Sequence, residues 1–126
     1  MNKQIIQSPA APAPIGPYSQ AVKAGNFLFL SGQIALDPES GGLKMDSVEV
    51  ETQQVMKNLQ AVLQQAGLDF NHVVKTTIFL MDMNDFATVN TIYGSYFQGD
   101  FPARETVQVA GLPKGVRVEI SMVAAV

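Results

Sequence analysis

The chain has 126 residues, a formal net charge of −3, 47% hydrophobic and 15% charged residues, and no cysteine. That length suffices for one domain, residues 1–126, with its own core, and so few charges suggest that an oligomer covers part of the surface. The composition excludes disulfides, thiolate catalysis and cysteine-ligated zinc, and the scattered lysines and missing basic cluster argue against nucleic-acid binding. The start lacks the long apolar region of a signal peptide and no apolar run reaches membrane-spanning length, so a cytoplasmic protein without a membrane partner is expected.

The first strand is expected at Lys3 to Ile6. Pro9, Pro12, Pro14 and Pro17 then make the stretch from Ser8 to Pro17 extended and loop-like, delivering Tyr18 at its end. Strands Ser19 to Ala24 and Asn26 to Gln33 are joined at Gly25-Asn26, a tight-turn dipeptide. Phe27-Leu28-Phe29-Leu30 is apolar on both faces, which predicts a central strand covered on both sides. Ser31-Gly32 follows; a glycine after an apolar run lets a ligand or another backbone approach closely, although a bulge or strand end is its commoner meaning.

A helix is predicted over Val48 to Ala66, with Thr52, Val55, Met56, Leu59, Val62, Leu63 and Ala66 at helical spacing and Gly67 as a left-handed cap. A strand from Val73 to Met81 follows. A second helix spans about Asn84 to Phe97, with Phe86, Val89, Tyr93 and Phe97 on one face and Asp82 or Asn84 able to cap its start. The last strands are Arg104 to Ala110 and Val116 to Ala125. The order β-β-β-α-β-α-β-β describes an α+β sandwich with two helices on one sheet face.

Arg104 is one of two arginines, with Arg117, and lies in apolar surroundings after Phe101-Pro102. Its guanidinium matches a carboxylate bidentately, whereas the plain alternative is an exposed arginine or a pair with Glu105. If Val109 pairs with Val116 across the last loop, Thr106 lies opposite Glu119 and Arg104 opposite Ser121, giving one polar surface with Arg104, Thr106 and Glu119. In that reading Arg117, Glu119 and Ser121 share a face. Tyr18 can be a ring wall with a hydroxyl donor, and Asn90 can donate from its amide; a core aromatic and a solvent-facing polar residue are the plain alternatives. His72, the one histidine, reads as structural or exposed. Asp82 and Asp85 read as helix-start residues rather than metal ligands, and no metal is expected.

The runs Ile15-Gly16-Pro17-Tyr18-Ser19-Gln20-Ala21, Leu30-Ser31-Gly32-Gln33-Ile34, Val74-Lys75-Thr76-Thr77-Ile78-Phe79-Leu80, Asp85-Phe86-Ala87-Thr88-Val89-Asn90, Phe101-Pro102-Ala103-Arg104 and Val116-Arg117-Val118-Glu119-Ile120 stand in an order and spacing that resemble the RidA/YjgF family of reactive intermediate deaminases. The likeness spans nearly the whole chain. It implies a chorismate-mutase-like (ferredoxin-like) α+β sandwich with a mixed sheet. It also implies a homotrimer with sites between subunits, and hydrolysis of 2-imino acids such as 2-iminopropanoate and 2-iminobutanoate to 2-oxo acids and ammonia. By that likeness Arg104 grips the substrate carboxylate and Glu119 is the acid/base or water-orienting group. Tyr18, Ser31, Gly32, Asn90 and Thr106 line the pocket, and no cofactor is implied.

The chain departs from the family pattern at Thr106, where many relatives have cysteine, and at Glu105, where a small residue is usual. A thiol nucleophile is therefore not required by this chemistry. The main alternative is a non-catalytic module that senses 2-oxo or other small carboxylic acids, keeping Arg104 without needing Glu119. An interaction or chaperone-like trimer comes next. RNA cleavage ranks last, given the acidic balance.

Overall fold

The protein's structure, a computed structural model, describes residues 2–126. Its strands are β1 (Lys3–Ile6), β2 (Ala21–Ala24), β3 (Phe27–Gln33), β4 (Val73–Leu80), β5 (Ala103–Gln108) and β6 (Val118–Ala125); its helices are α1 (Val48–Gln65) and α2 (Phe86–Gly94). The predicted element order holds. The second helix is shorter than its spacing suggests, because Met83–Asp85 forms a separate 3₁₀ turn capped by Asp82, whose side chain accepts from the Asn84 N–H.

The strands form one mixed sheet in the order β1-β2-β3-β6-β4-β5. β5 runs parallel to β4, as a strand returning through a helical crossover must, and β6 pairs antiparallel with both β3 and β4. The expected Val109–Val116 hairpin is thus absent: β4 stands between β5 and β6. Thr106 is level with Ile78 and Ile120, and Arg104 with Thr76 and Met122. Glu119 is level with Phe79 and Val107. Paired residues point to one side of a sheet and neighbours along a strand to opposite sides. Arg104 and Thr106 therefore face the helices, and Glu119 faces away from them.

Both helices lie on one side of the sheet. Val55, Met56, Leu59, Val62 and Leu63 of α1 are fully buried against Leu28, Ile78, Leu80 and Ile120. Burial of each such side chain stabilises the fold by about 1.5–3 kcal/mol. Ser47 caps α1 by accepting from the Val50 N–H at 3.1 Å, and Gly67 takes the left-handed conformation that ends it, φ 75°. The β2–β3 turn is made by Gly25, φ 59°, and Asn26.

The opposite side of the sheet is open. Phe27 and Phe29 are 45% and 48% exposed, so β3 is central but covered on one side only within the chain, a correction to the expectation from its sequence. Ile5 and Val107 are exposed there as well.

The proline-rich stretch is anchored by Gln20, which is buried. Its amide oxygen accepts from the Ser8 N–H at 2.6 Å, and its nitrogen donates to the Pro12 carbonyl at 2.8 Å. One side chain thereby satisfies backbone groups that have no strand partner and holds the segment leading to Tyr18.

Candidate active site

The predicted site residues, Thr106 excepted, fall into two clefts. The first, about 450 Å³, is lined by Asn90, Tyr93, Gly94, Phe101, Pro102 and Arg104. The second, about 350 Å³, includes Ile15, Tyr18, Ser31, Gly32, Ile34 and Glu119 among its walls. Arg104 and Glu119 do not share a polar surface within one chain: through β4, Arg104 is level with Met122, three positions from Glu119, so the two point to opposite faces of the sheet.

In the first cleft Arg104 is held from three directions. Its Nη1 donates to Asn90 Oδ1 at 2.7 Å, and its guanidinium carbon lies 5.2 Å from the Tyr93 ring centre and 5.7 Å from that of Phe86. Phe86, Asn90 and Tyr93 stand at i, i+4 and i+7 of one helix, so they present one stripe to the strand. Stacking of a guanidinium on aromatic faces fixes its plane and leaves its other N–H groups free for a ligand. Asn90 thus accepts from Arg104 rather than offering its own amide N–H to it. Tyr93 is locked in turn, its hydroxyl donating to Thr76 Oγ1 at 3.0 Å, and burial raises the phenol above its ordinary pKa. Thr106, on the same face, has a buried hydroxyl oxygen with no hydrogen-bond partner.

The roles of Tyr93 and Phe86 were not evident from sequence, where both read as an apolar helix face. The spacing of Phe86, Asn90 and Tyr93 carries the signal, once Arg104 is known to lie beside α2.

In the second cleft Glu119 is half-buried and, among the described residues, has no salt-bridge partner. Burial pushes its carboxyl up from the ordinary carboxylate range. It lies directly over Gly32: a Cβ there would sit 2.5 Å from Oε2 and 2.9 Å from Cδ. Gly32 falls where the β3–β6 register shifts between Leu30 and Gln33, so the irregularity expected as its commoner meaning occurs, and what approaches it closely is the Glu119 side chain rather than a ligand or another backbone. The Ser31 hydroxyl donates to the Ser19 carbonyl at 2.6 Å and tethers the segment bearing Tyr18. Tyr18 is 48% exposed beside the cleft, and its hydroxyl accepts from the Ile15 N–H at 3.4 Å rather than acting as a donor to the protein.

Arg117 is not part of either cleft's lining. It precedes β6 instead of sharing the Glu119 face, and its Nε donates to Glu51 Oε1 at 2.7 Å. His72 is partly exposed, next to Asp69 at the 3₁₀ turn before β4. No group of three or more His, Asp or Glu residues that could hold a metal ion occurs among the described residues.

Comparison with known proteins gives the chain's family. The family model described as Endoribonuclease L-PSP matches residues 8–126. The chain is 55% identical over 122 residues to 2-iminobutanoate/2-iminopropanoate deaminase from Mus musculus, covering 97% of this chain and 90% of that protein. The crystal structure of the Rid family protein YyfA from Yersinia pestis superposes with a TM-score of 0.97 at 48% identity, over 99% of this chain and 100% of that one. E. coli TdcF, solved with bound serine, superposes with a TM-score of 0.93 at 40% identity, over 98% of each chain. With its six-stranded mixed sheet, two helices on one face and a chorismate-mutase-like fold, the chain belongs to the RidA/YjgF family.

Proposed function

We propose that this protein hydrolyses 2-imino acids, with 2-iminopropanoate and 2-iminobutanoate as the type substrates, to 2-oxo acids and ammonia. The observation that carries the proposal is the division of chemistry between two incomplete clefts. One presents a rigidly held guanidinium, and the other a half-buried carboxylate with a raised proton affinity. A substrate that carries a carboxylate beside an electrophilic C=N bond needs both. Two copies of the chain supply both where the Arg104 cleft of one meets the Glu119 cleft of the next, and the open sheet face with Phe27 and Phe29 gives the copies an apolar surface to bury. Three copies, in a homotrimer, is the number the family likeness implies. The deaminase name of the mouse relative and the serine bound to TdcF, an amino acid with a free carboxylate, support the same reading.

In the mechanism Arg104 binds the substrate carboxylate through its free N–H groups, with Asn90, Tyr93 and Phe86 fixing its plane. Immobilising the substrate in this way supplies a proximity effect. Glu119, as carboxylate, takes a proton from water while the water oxygen adds to the C=N carbon, and that proton passes to the nitrogen. The resulting carbinolamine collapses: Glu119 takes its hydroxyl proton and passes it to the amino nitrogen, C=O forms, the C–N bond breaks and ammonia departs. A raised pKa brings Glu119 closer to the solution pH, where one group can accept and return a proton efficiently. Tyr18 walls the Glu119 side, and Gly32 lets the carboxylate lie close to β3; Thr106 is a candidate pocket residue by family likeness alone, since its hydroxyl is buried beside Arg104. The chain works as one domain in the cytoplasm, with no cofactor and no nucleic-acid or membrane partner. Its acidic balance favours imine chemistry over RNA cleavage.

The test is release of ammonia and 2-oxo acid from enzymatically generated iminopropanoate and iminobutanoate. Acceleration above spontaneous hydrolysis is expected. Binding of 2-oxobutanoate without any acceleration would make the protein a carboxylate sensor instead.

A further inference from the structure

Outside the two clefts, a buried carboxylate meets the entry to β6. Glu51, on α1, is fully buried at 0% exposure. Its Oε1 accepts from Arg117 Nε at 2.7 Å, and its Oε2 accepts from the backbone N–H groups of Arg117 at 2.7 Å and Val118 at 3.1 Å. The Arg117 guanidinium also donates through Nη2 to the Met45 carbonyl at 2.7 Å. One ion pair therefore joins α1, the entry to β6 and the loop before α1.

Its location matters more than its strength. The last β3–β6 partners are Gln33 and Ile120, so β3 gives β6 no further partner before Ile120. The amides of residues 117 and 118 are held by Glu51, and the next residue is Glu119. Glu119 itself rests on Gly32, at the register shift. We infer that Glu51, with Arg117, is a positioning residue for the reaction: it pins the strand immediately before Glu119 and so holds that carboxylate over Gly32. The inference rests on the proposed role of Glu119. Arg117 is about a third exposed and Glu51 also satisfies two backbone N–H groups, so the pair stabilises the fold as well as placing Glu119, and activity has to be read apart from stability.

Two variants test it: Glu51→Gln, which places an N–H donor among groups that all donate, and the double variant Glu51→Leu/Arg117→Leu, which replaces the pair with apolar bulk. Each is assayed for imine hydrolysis, for 2-oxobutanoate affinity, for assembly and for the pH dependence of kcat. A misplacement near 1 Å can cost up to about 100-fold, so kcat is expected to fall roughly 10–100-fold. Affinity for 2-oxobutanoate, held by Arg104 on the other cleft, should stay within about twofold, because it does not use Glu119. The acidic limb of the kcat profile should move to lower pH as Glu119 loses its half-buried position. A folded, assembled double variant with wild-type kcat and an unmoved limb overturns the inference. So does failure of both variants to assemble, which would make Glu51 a folding residue only. Glu119→Gln run alongside separates the two claims: full activity there removes Glu119 from the mechanism, whereas loss there with full activity in the Glu51 variants defeats only the inference.

Discussion

Adding a single methyl group at position 32 tests the Glu119 cleft with little disturbance of the fold. The Cβ of Gly32→Ala would lie 2.5 Å from Glu119 Oε2, 2.9 Å from Cδ and 3.1 Å from Cγ. Ordinary contact between such atoms begins near 3.5 Å, so the carboxylate must retreat by roughly 1 Å. It can do so by turning its own side chain, because the clash involves no backbone. Gly32 does not occupy the left-handed region, so alanine meets no backbone strain there. The substitution also lowers unfolded-state entropy, a stabilising effect of about 0.4–1 kcal/mol that offsets the cost of moving Glu119. The melting temperature should therefore change by only a few degrees. Catalysis should suffer far more: a displacement near 1 Å corresponds to up to about 100-fold in rate, or about 2.7 kcal/mol of barrier. The assay is the rate of 2-oxobutanoate release from enzymatically generated iminobutanoate, with thermal unfolding and light scattering on the same sample. Wild-type kcat in a folded Gly32→Ala protein would refute the idea that catalysis depends on Glu119 lying over position 32.

Arg104→Ala should abolish hydrolysis in a folded protein, losing about 2–5 kcal/mol of transition-state binding, and Arg104→Lys should also be poor because a point charge cannot replace the stacked fork; both are read from kcat/KM and circular dichroism. Glu119→Gln should retain 2-oxobutanoate binding, measured by calorimetry, while hydrolysis falls about 10²–10⁴-fold. Burial raises the folded-state pKa of Glu119, so the folded chain holds more protons than the unfolded one between the ordinary and raised values, and this group's contribution to stability falls as pH rises through that window. Glu119→Gln should accordingly be at least as stable as wild type at neutral pH in denaturant titrations, and a marked loss would contradict that sign. Phe29→Glu puts a carboxylate on the open sheet face and should yield a folded monomer by light scattering with no imine hydrolysis; an intact, active trimer would mean that the copies meet through another surface.

The Ser47 cap at the start of helix α1 emerges only in the structure, whereas the helix itself is legible in sequence because its apolar spacing is local and its stop residue, Gly67, acts on its immediate neighbours. The same holds for the Gly25-Asn26 turn, and for Arg104, whose scarcity and apolar setting mark it. Alternation along a strand tells which of its residues share a face. It does not tell which strand lies alongside, because that depends on hydrogen bonds between segments far apart in the chain. The neighbouring of β5 and β6 was expected from a short connecting loop, yet β4 enters between them and pairs with both. The register carried through β4 turns Glu119 away from Arg104 and divides the expected pocket into two clefts. The burial of Glu51 likewise became visible only when α1 was laid against the start of β6, where the carboxylate meets two backbone amides and a guanidinium that lie 66 and 67 positions away in sequence. Residue chemistry and local periodicity are written along the chain, whereas the sides on which charged groups emerge, and the partners they meet, are set by the pairing of strands.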